Sequence, residues 1–166
     1  MTFSTPDLCD AFPSDVAVCD LQFRSFGRRN AFAGQIVTVK CFEDNSLVKE
    51  ILATDGTGKV LVVDGGGSLR RALIGDQIGG SAVMNRWAGI VLYGAVRDVD
   101  ELHALEIGIK ALGSNPVKTD KRGEGQREIE VRFGGVKFVP GHHLVADNNG
   151  VIVSPKDITV LDPTVD

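Results

Sequence analysis

The pattern of apolar and polar positions predicts alternating strands and helices along the first two thirds of the chain. Residues 34–42 are β-branched and partly alternating, whereas residues 59–64 and 89–96 are nearly continuous apolar runs, as in strands covered on both faces. Helical spacing of apolar residues predicts a helix after Asn45, the candidate N-cap, and another at residues 76–87. The remaining elements predicted here are a helix starting at residues 4–7, a short helix at 98–105 and a strand at 107–114.

Turn signals dominate the last third of the chain. Gly134-Gly135 separates two short apolar stretches and Asn148-Asn149 separates two more, which predicts two β-hairpins. Alternating strands and helices followed by hairpins indicate an α/β fold with mixed sheets rather than a purely parallel one. The length of 166 residues fits one domain that covers residues 1–166.

Composition and charge narrow the class of function. The chain is 43% hydrophobic and 24% charged, which is ordinary for a globular protein. Its net charge of -4 leaves no broad basic surface, so we expect no direct binding of nucleic acid. Local basic clusters at residues 24–29, 70–71 and 118–122 are interpreted as solvated side chains or subunit contacts.

Cysteine usage and the N-terminal sequence bear on the cellular compartment. The three cysteines lack metal-ligand spacing and imply no disulfide framework, which is typical of reduced thiols in the cytosol. The N-terminal sequence lacks the basic and apolar regions of a signal peptide. No apolar run approaches the ~20 residues that cross a bilayer. We therefore expect a cytoplasmic protein without a membrane partner.

Two segment ends carry the candidate chemistry: GDQI, which contains Asp76, and the Arg97-Asp98 step twenty residues further on. Each acid lies where an apolar segment ends or an amphipathic segment begins. Both acids have a purely structural interpretation. Asp98 with Glu101 matches a variant of the capping box. Asp76 lies in a first helical turn, where an acid complements the helix dipole.

The same positions suit a small carboxylate substrate bound beside a metal ion. Unpaired amides at a helix start would receive a substrate carboxylate. Arg97 would add a charge-assisted contact to the substrate. Asp98 would be an oxygen ligand for Mg²⁺ or Mn²⁺, with water and substrate completing the coordination. The amides concerned belong to Gly75, Asp76, Gln77 and Ile78.

Three stretches resemble the RraA-like family: VLVVDGGGSLRRALIGD, WAGIVLYGAVRD and VRFGGVKFVPGHHLVADNNGVIV. This family includes regulators of ribonuclease E activity and class II 4-hydroxy-4-methyl-2-oxoglutarate aldolases. The resemblance covers nearly the whole chain. It implies a three-layer β/β/α, swivelling-domain-like fold with mixed sheets and C-terminal hairpins. It also implies a homotrimer with sites near the subunit boundaries.

The resemblance extends to the candidate chemistry, because the family's catalytic members carry an Asp, twenty further residues and an Arg-Asp pair. Asp76, Arg97 and Asp98 match this pattern. The resemblance implies that Asp98 ligates the metal, Arg97 contacts the oxo acid and Asp76 acts through metal-bound water. The implied reactions are cleavage of 4-hydroxy-4-methyl-2-oxoglutarate to pyruvate and decarboxylation of oxaloacetate, both through a pyruvate enolate. Longer aldolases add an acid from a neighbouring subunit's C-terminal extension, which this chain is expected to lack.

Other interpretations compete with a metal-dependent lyase. The resemblance also supports a non-catalytic trimer that binds and inhibits an RNA-processing endonuclease of the ribonuclease E type. A Schiff-base route would need a desolvated lysine, and Lys110 is the candidate, although strand alternation favours an outward-facing side chain there. Residues 65–67 lack P-loop or dinucleotide spacing and only faintly resemble the first motif of S-adenosylmethionine-dependent methyltransferases. A tight glycine turn that shapes the cleft floor is the preferred interpretation.

Overall fold

A large mixed β-sheet forms the centre of the computed structural model, which describes residues 4–162. The strands are β1 (Ala17–Val18), β2 (Arg24–Ser25), β3 (Phe32–Lys40), β4 (Lys59–Asp64), β5 (Ala72–Ile74), β6 (Gly89–Val96), β7 (Gly108–Ser114), β8 (Gln126–Arg127), β9 (Val131–Phe133), β10 (Val136–Phe138), β11 (His143–Asp147) and β12 (Gly150–Ser154). The helices are α1 (Thr5–Ala11), α2 (Ser46–Leu52), α3 (Asp76–Met84) and α4 (Val99–His103). The strand order is β1-β12-β11-β3-β4-β6-β7-β2, with β5 beside β6, β8 beside β3, and β9 and β10 paired separately. None of the helices within residues 4–162 is long and apolar enough to cross a membrane.

The central strands β3, β4, β6 and β7 run parallel, and β5 joins β6 in the same direction. Parallel neighbours need crossover connections, which α2, α3 and α4 supply between successive strands. Residues 59–64 and 89–96 form strands at the predicted bounds, and all but two of these residues are buried. The predicted α/β class with a mixed sheet is therefore confirmed.

Side chains of the central strands alternate between two apolar cores. Leu61 and Val63 face the core under α2, α3 and α4. Val60 and Val62 face the opposite core, where the β9–β10 hairpin covers the sheet. Helix α1 packs separately on β11 and β12 through Leu8 and other residues. The hairpin, the sheet and the helices give the β/β/α layering that the resemblance implies.

Strand β3 begins and ends two residues earlier than the predicted 34–42. Its first residue, Phe32, is buried and lies across Gly89 and Gly108 at the starts of β6 and β7. A side chain at either glycine would overlap the Phe32 ring. This aromatic contact extends the start of β3, and long-range packing of this kind leaves no local periodic signal.

Both predicted hairpins are present. Phe133 pairs with Val136 across Gly134-Gly135, and the two glycines have φ of 61° and 76°, as a type I′ turn requires. Asp147 pairs with Gly150 across Asn148-Asn149. The predicted C-terminal hairpins are therefore confirmed.

Two helix ends differ from the predictions. Helix α3 ends at Met84, three residues short of the predicted 87. Asn45 occupies the N-cap position of α2 but makes no side-chain capping bond. The Asp44 carboxylate instead accepts hydrogen bonds from the Ser46 amide at 3.0 Å and the Ser46 hydroxyl at 2.6 Å. Asn45 is diverted because its side chain donates to the Leu73 carbonyl at 3.0 Å.

The predicted outward-facing position of Lys110 is wrong. Lys110 is 4% exposed, because β7 is buried on both faces and β2 pairs along its edge. Its Nζ donates to the Ser25 hydroxyl at 2.6 Å. Burial lowers the pKa of this ammonium group, and the negative charge of Asp147 partly opposes the shift.

Candidate active site

The carboxyl ends of β5 and β6 bring the two predicted segments together. These strands are parallel neighbours, so the chain leaves both at the same edge of the sheet. Asp76 lies two residues after β5, and Arg97 directly follows β6. The Arg97 amide donates to the Ile74 carbonyl at 2.9 Å, which fixes one segment against the other. Ligands in open α/β sheets typically bind at this end of the strands.

Asp98 connects the two segments through its side chain. Its Oδ2 accepts a hydrogen bond from the Asp76 amide at 2.9 Å, so the carboxylate satisfies the first amide of α3. It makes no capping bond to its own helix α4, and its backbone is left-handed, with φ of 55° and ψ of 47°. The capping-box interpretation of Asp98 and Glu101 is therefore wrong. Asp98 stabilises the start of a different helix.

Gly75 leaves the space that this contact needs. A Cβ atom on Gly75 would lie 2.5 Å from Asp98 Oδ2 and 3.3–3.4 Å from atoms of the Arg97 side chain. The φ of Gly75 is -125°, which any residue adopts, so the constraint is space and not backbone conformation. Only glycine allows the backbone to approach the Arg97-Asp98 pair this closely.

The predicted amide cradle is the first turn of α3 rather than a separate loop. One of its amides, that of Asp76, is already bonded to Asp98. The Gly79 amide bonds back to the Gly75 carbonyl and starts the helical ladder. The amides of Gln77 and Ile78 lie between these two and receive no hydrogen bond from any residue in 4–162. Two amides are thus available to an anion, where the sequence had predicted four positions.

These residues line a cleft of about 240 Å³, which is room for about eight waters at ~30 Å³ each. The side chains of Arg97 and Asp98 are 40% and 33% exposed, and Arg97 Nε lies 4.0 Å from Asp98 Oδ2. The cleft therefore holds a partly solvated cation beside a partly solvated carboxylate. Its lining residues are Asn45, Lys49, Ala53, Ala72, Gly75, Asp76, Gln77, Ile78, Ser81, Arg97, Asp98, Lys118 and Lys121.

Three lysines of this cleft were not predicted as site residues. Lys118 and Lys121 were recognised in the sequence only as part of a basic cluster, and Lys49 only as a residue of α2. The segment that carries Lys118 and Lys121 has no helix or strand and hence no periodic signal. Its position depends on side-chain hydrogen bonds to residues about 75 positions earlier in the chain.

The donor set of the cleft fits a divalent cation that keeps most of its water. Oδ1 of Asp98 receives no hydrogen bond from the described residues, whereas Oδ2 is engaged by the Asp76 amide. The carboxylate thus has one oxygen free for a hard cation. Residues 4–162 contain no group of three or more His, Cys, Asp or Glu that could hold a metal by themselves. A single protein carboxylate with water and a chelating substrate is a fit for Mg²⁺, which dehydrates reluctantly.

The Gly65–67 turn lies outside this cleft, so its predicted role as a cleft floor is wrong. Gly66 lines a separate cavity beside Phe42. The amides of Gly65 and Gly67 donate to the Tyr93 carbonyl at 3.0 and 3.2 Å, and the Gly66 amide donates to Asp64 at 3.0 Å. The predicted tight turn is present, and its amides are occupied.

Several curated relatives are similar to this chain along almost its entire length. A protein of Pseudomonas paraeruginosa named "Putative 4-hydroxy-4-methyl-2-oxoglutarate aldolase" is 59% identical over 160 residues, covering 96% of this chain and 99% of the relative. A protein of Pseudomonas putida with the same name is 60% identical over 156 residues, covering 94% and 96%.

Two solved structures share the fold. One is described as S-adenosylmethionine:2-dimethylmenaquinone methyltransferase from Geobacillus kaustophilus; it is 45% identical, covers 96% of this chain and 99% of its own, and superposes with a TM-score of 0.94. The other is the RNA-processing inhibitor RraA from Thermus thermophilis, which is 43% identical, covers 94% of both chains and superposes with a TM-score of 0.91.

A sequence profile connects these similarities to one family. The profile for RraA-like proteins, described as Aldolase/RraA, matches residues 5–153. The matched region contains the Asp76 segment, the Arg97-Asp98 step and both C-terminal hairpins. The chain therefore belongs to the RraA-like family.

Proposed function

We propose that this chain is a divalent-metal-dependent lyase that cleaves 4-hydroxy-4-methyl-2-oxoglutarate to pyruvate and also decarboxylates oxaloacetate. One observation carries the proposal. The Asp98 carboxylate bonds to the Asp76 amide beside Arg97, in a cleft that Gly75 keeps open. Relatives 57–60% identical are named as aldolases for this substrate, which supports the reaction class.

The cleft residues divide the work on a 2-oxo acid. The free amides of Gln77 and Ile78 and the Arg97 guanidinium bind the carboxylate next to the oxo group. Asp98 would hold Mg²⁺ or Mn²⁺, which supplies Lewis-acid charge next to the oxo oxygen. Breaking the bond between C3 and C4 leaves an electron pair that the pyruvate enolate carries. Arg97 places positive charge where this anion develops.

Asp76 is proposed to handle the proton. Retro-aldol cleavage must remove the proton of the 4-hydroxyl group, whereas decarboxylation needs no such base. The Asp76 side chain is exposed and lines the cleft, so it would act through a bound water. Replacing Asp76 by Asn should therefore impair the aldol cleavage more than the decarboxylation.

Turnover of oxaloacetate tests the proposal directly. We expect activity with Mg²⁺ or Mn²⁺, none after EDTA, and recovery when the metal is restored. Asp98→Ala should abolish activity. Arg97→Ala should lower kcat/KM by ~10²-fold or more, the scale for removing one electrostatic stabiliser of a developing anion. Turnover that persists in EDTA, or in Asp98→Ala, would contradict the proposal.

A non-catalytic role is the second candidate, since the Thermus neighbour is described as an inhibitor of RNA processing. In this role the chain would bind an RNA-processing endonuclease of the ribonuclease E type and lower its activity. Pull-down of such a nuclease that survives Asp98→Ala would support it. A methyltransferase role, suggested by the Geobacillus neighbour, is not proposed because the Gly65–67 amides are occupied.

We also propose that the chain assembles as a homotrimer. Leu69 and Val117 are large apolar residues that remain about half exposed, and Asn115 connects them by bonding the Leu69 carbonyl and the Val117 amide. Exposed apolar side chains of this kind favour subunit contacts. Light scattering should give three times the 17.7 kDa mass of the chain. Replacing Leu69 and Val117 with Ser should shift the assembly towards smaller species.

A further inference from the structure

A segment without helix or strand forms one wall of the candidate cleft. We name residues 115–125 the strap; they lie between β7 and β8. The strap returns beside β5, where the Ala72 amide donates to the Val117 carbonyl at 2.8 Å. Its position next to β5 brings Lys118 and Lys121 to the same cleft as Arg97 and Asp98.

Buried polar groups hold the strap in place. Thr119 is 3% exposed, and its hydroxyl donates to Asn45 Oδ1 at 2.8 Å. Asp44 is 0% exposed and accepts from the Arg122 and Glu124 amides at 2.9 and 3.1 Å. These bonds anchor the backbone on both sides of Lys121, so the strap presents its lysines from a fixed base.

The charge of the cleft exceeds what one carboxylate needs. Four cationic side chains and two acidic ones line it, although the whole chain has a net charge of -4. Lys49, Lys118 and Lys121 make no ion pair within 4.0 Å with any residue in 4–162. Arg122, on the same strap, pairs with Glu124 at 3.5 Å. Positive charge therefore remains after Arg97 and the helix amides have bound a first carboxylate.

We propose that Lys118 and Lys121 bind the distal carboxylate of a 2-oxo dicarboxylate, and so select dicarboxylates over 2-oxo monocarboxylates. The inference rests on the proposed function, because it assigns the 2-oxo acid end of the ligand to Arg97 and Asp98. The lysines are binding residues and take no part in bond cleavage. Their exposed ammonium groups contribute a screened attraction, which weakens as salt increases.

A matched pair of ligands tests the lysines separately from catalysis. 2-Oxoglutarate has two carboxylates, whereas 2-oxopentanoate has the same chain length and only one. Neither is a substrate for the proposed cleavage, so calorimetric titration in the presence of Mn²⁺ measures binding alone. We expect wild type to bind 2-oxoglutarate more tightly. Lys118→Gln/Lys121→Gln should weaken this binding by about 3- to 10-fold, the range for two exposed ion pairs, and leave 2-oxopentanoate unchanged.

Arg122→Gln is the control, because Arg122 is on the strap but does not line this cleft. It should leave the preference for 2-oxoglutarate intact. Equal weakening of both ligands by the double lysine variant, or no weakening at all, would overturn the inference. In turnover assays the double variant should raise KM for 4-hydroxy-4-methyl-2-oxoglutarate and leave kcat within about twofold. Absence of turnover in wild type would refute the lyase, whereas the titration would still decide the role of the lysines.

Discussion

The Asp44 carboxylate serves two separate parts of the molecule, which makes Asp44→Asn an informative substitution. Oδ1 accepts from the amide and hydroxyl of Ser46 at the start of α2. Oδ2 accepts from the Arg122 and Glu124 amides of the strap. An Asn side chain has one carbonyl oxygen and one amino group. It can therefore serve the helix or the strap, but it must turn an N–H donor towards the other.

The pKa of Asp44 sets the scale of the effect. Burial by itself would raise this pKa, but hydrogen bonds from Ser46, Glu124 and Arg122 outweigh burial and lower the pKa from 3.8 to about 2. At 1.36 kcal/mol per pKa unit this corresponds to about 2 kcal/mol, and solvent next to the exposed strap reduces it to about 1–2 kcal/mol. Unsatisfied amides in the variant add about 1–2 kcal/mol. We expect Asp44→Asn to lower the free energy of unfolding by about 2–4 kcal/mol at pH 7.

The sign of the pH dependence follows from the lowered pKa. The stabilisation by Asp44 is fully present above pH 4 and is lost as the pH falls from about 4 to about 2. The difference between wild type and Asp44→Asn should shrink over the same interval. Urea unfolding can be followed by fluorescence of Trp87, the single tryptophan, which is buried and donates to the Thr54 carbonyl at 2.9 Å.

Asp120→Asn is the matched control for this experiment, since Asp120 is an exposed acid of the same strap. It should change the free energy of unfolding by less than about 0.5 kcal/mol. A loss below about 0.5 kcal/mol for Asp44→Asn at pH 7 would refute the reasoning. So would a loss that stays constant between pH 7 and pH 2.5.

Three further substitutions have defined outcomes. Gly75→Ala should displace the Asp98 carboxylate, weaken Mn²⁺ binding and reduce oxaloacetate turnover at least tenfold with little loss of stability; unchanged Mn²⁺ affinity would contradict the space argument. Gly89→Ala should cost about 1–3 kcal/mol in urea unfolding, because its methyl group would overlap the Phe32 ring. Lys110→Met should remove the rise in stability that wild type shows as the pH increases towards 10.5, since burial lowers the pKa of Lys110 and the charged form opposes folding below that range; a parallel rise in the variant would contradict this.

Local signals were sufficient for much of the fold. Strands β4 and β6 are continuous apolar runs, and the glycine and asparagine pairs fix the two hairpins, so their positions followed from the sequence. The convergence of Asp76 with the Arg97-Asp98 step was also expected, because both follow strands of one parallel sheet. These features depend on residues close together in the chain.

The differences arise where distant contacts decide between equal local choices. Asp44 and Asn45 are both good capping residues, and only the strap amides and the Leu73 carbonyl determine which one bonds the helix. Lys110 obeys strand alternation, but β7 is covered on both faces, so neither direction leads to solvent. Lys118 and Lys121 lie in a segment without periodicity, and their place in the cleft depends on the buried Thr119 and Asp44.

The anchoring of the strap has a consequence for redesign. Its backbone is secured through Asp44 and Asn45, whereas the side chains of Lys118 and Lys121 point away from those anchors and contribute nothing to them. Substitution at these two positions can therefore retarget the pocket to uncharged or cationic ligand tails without redesigning the reaction centre on the neighbouring strand ends. A library restricted to two codons is enough to explore that change.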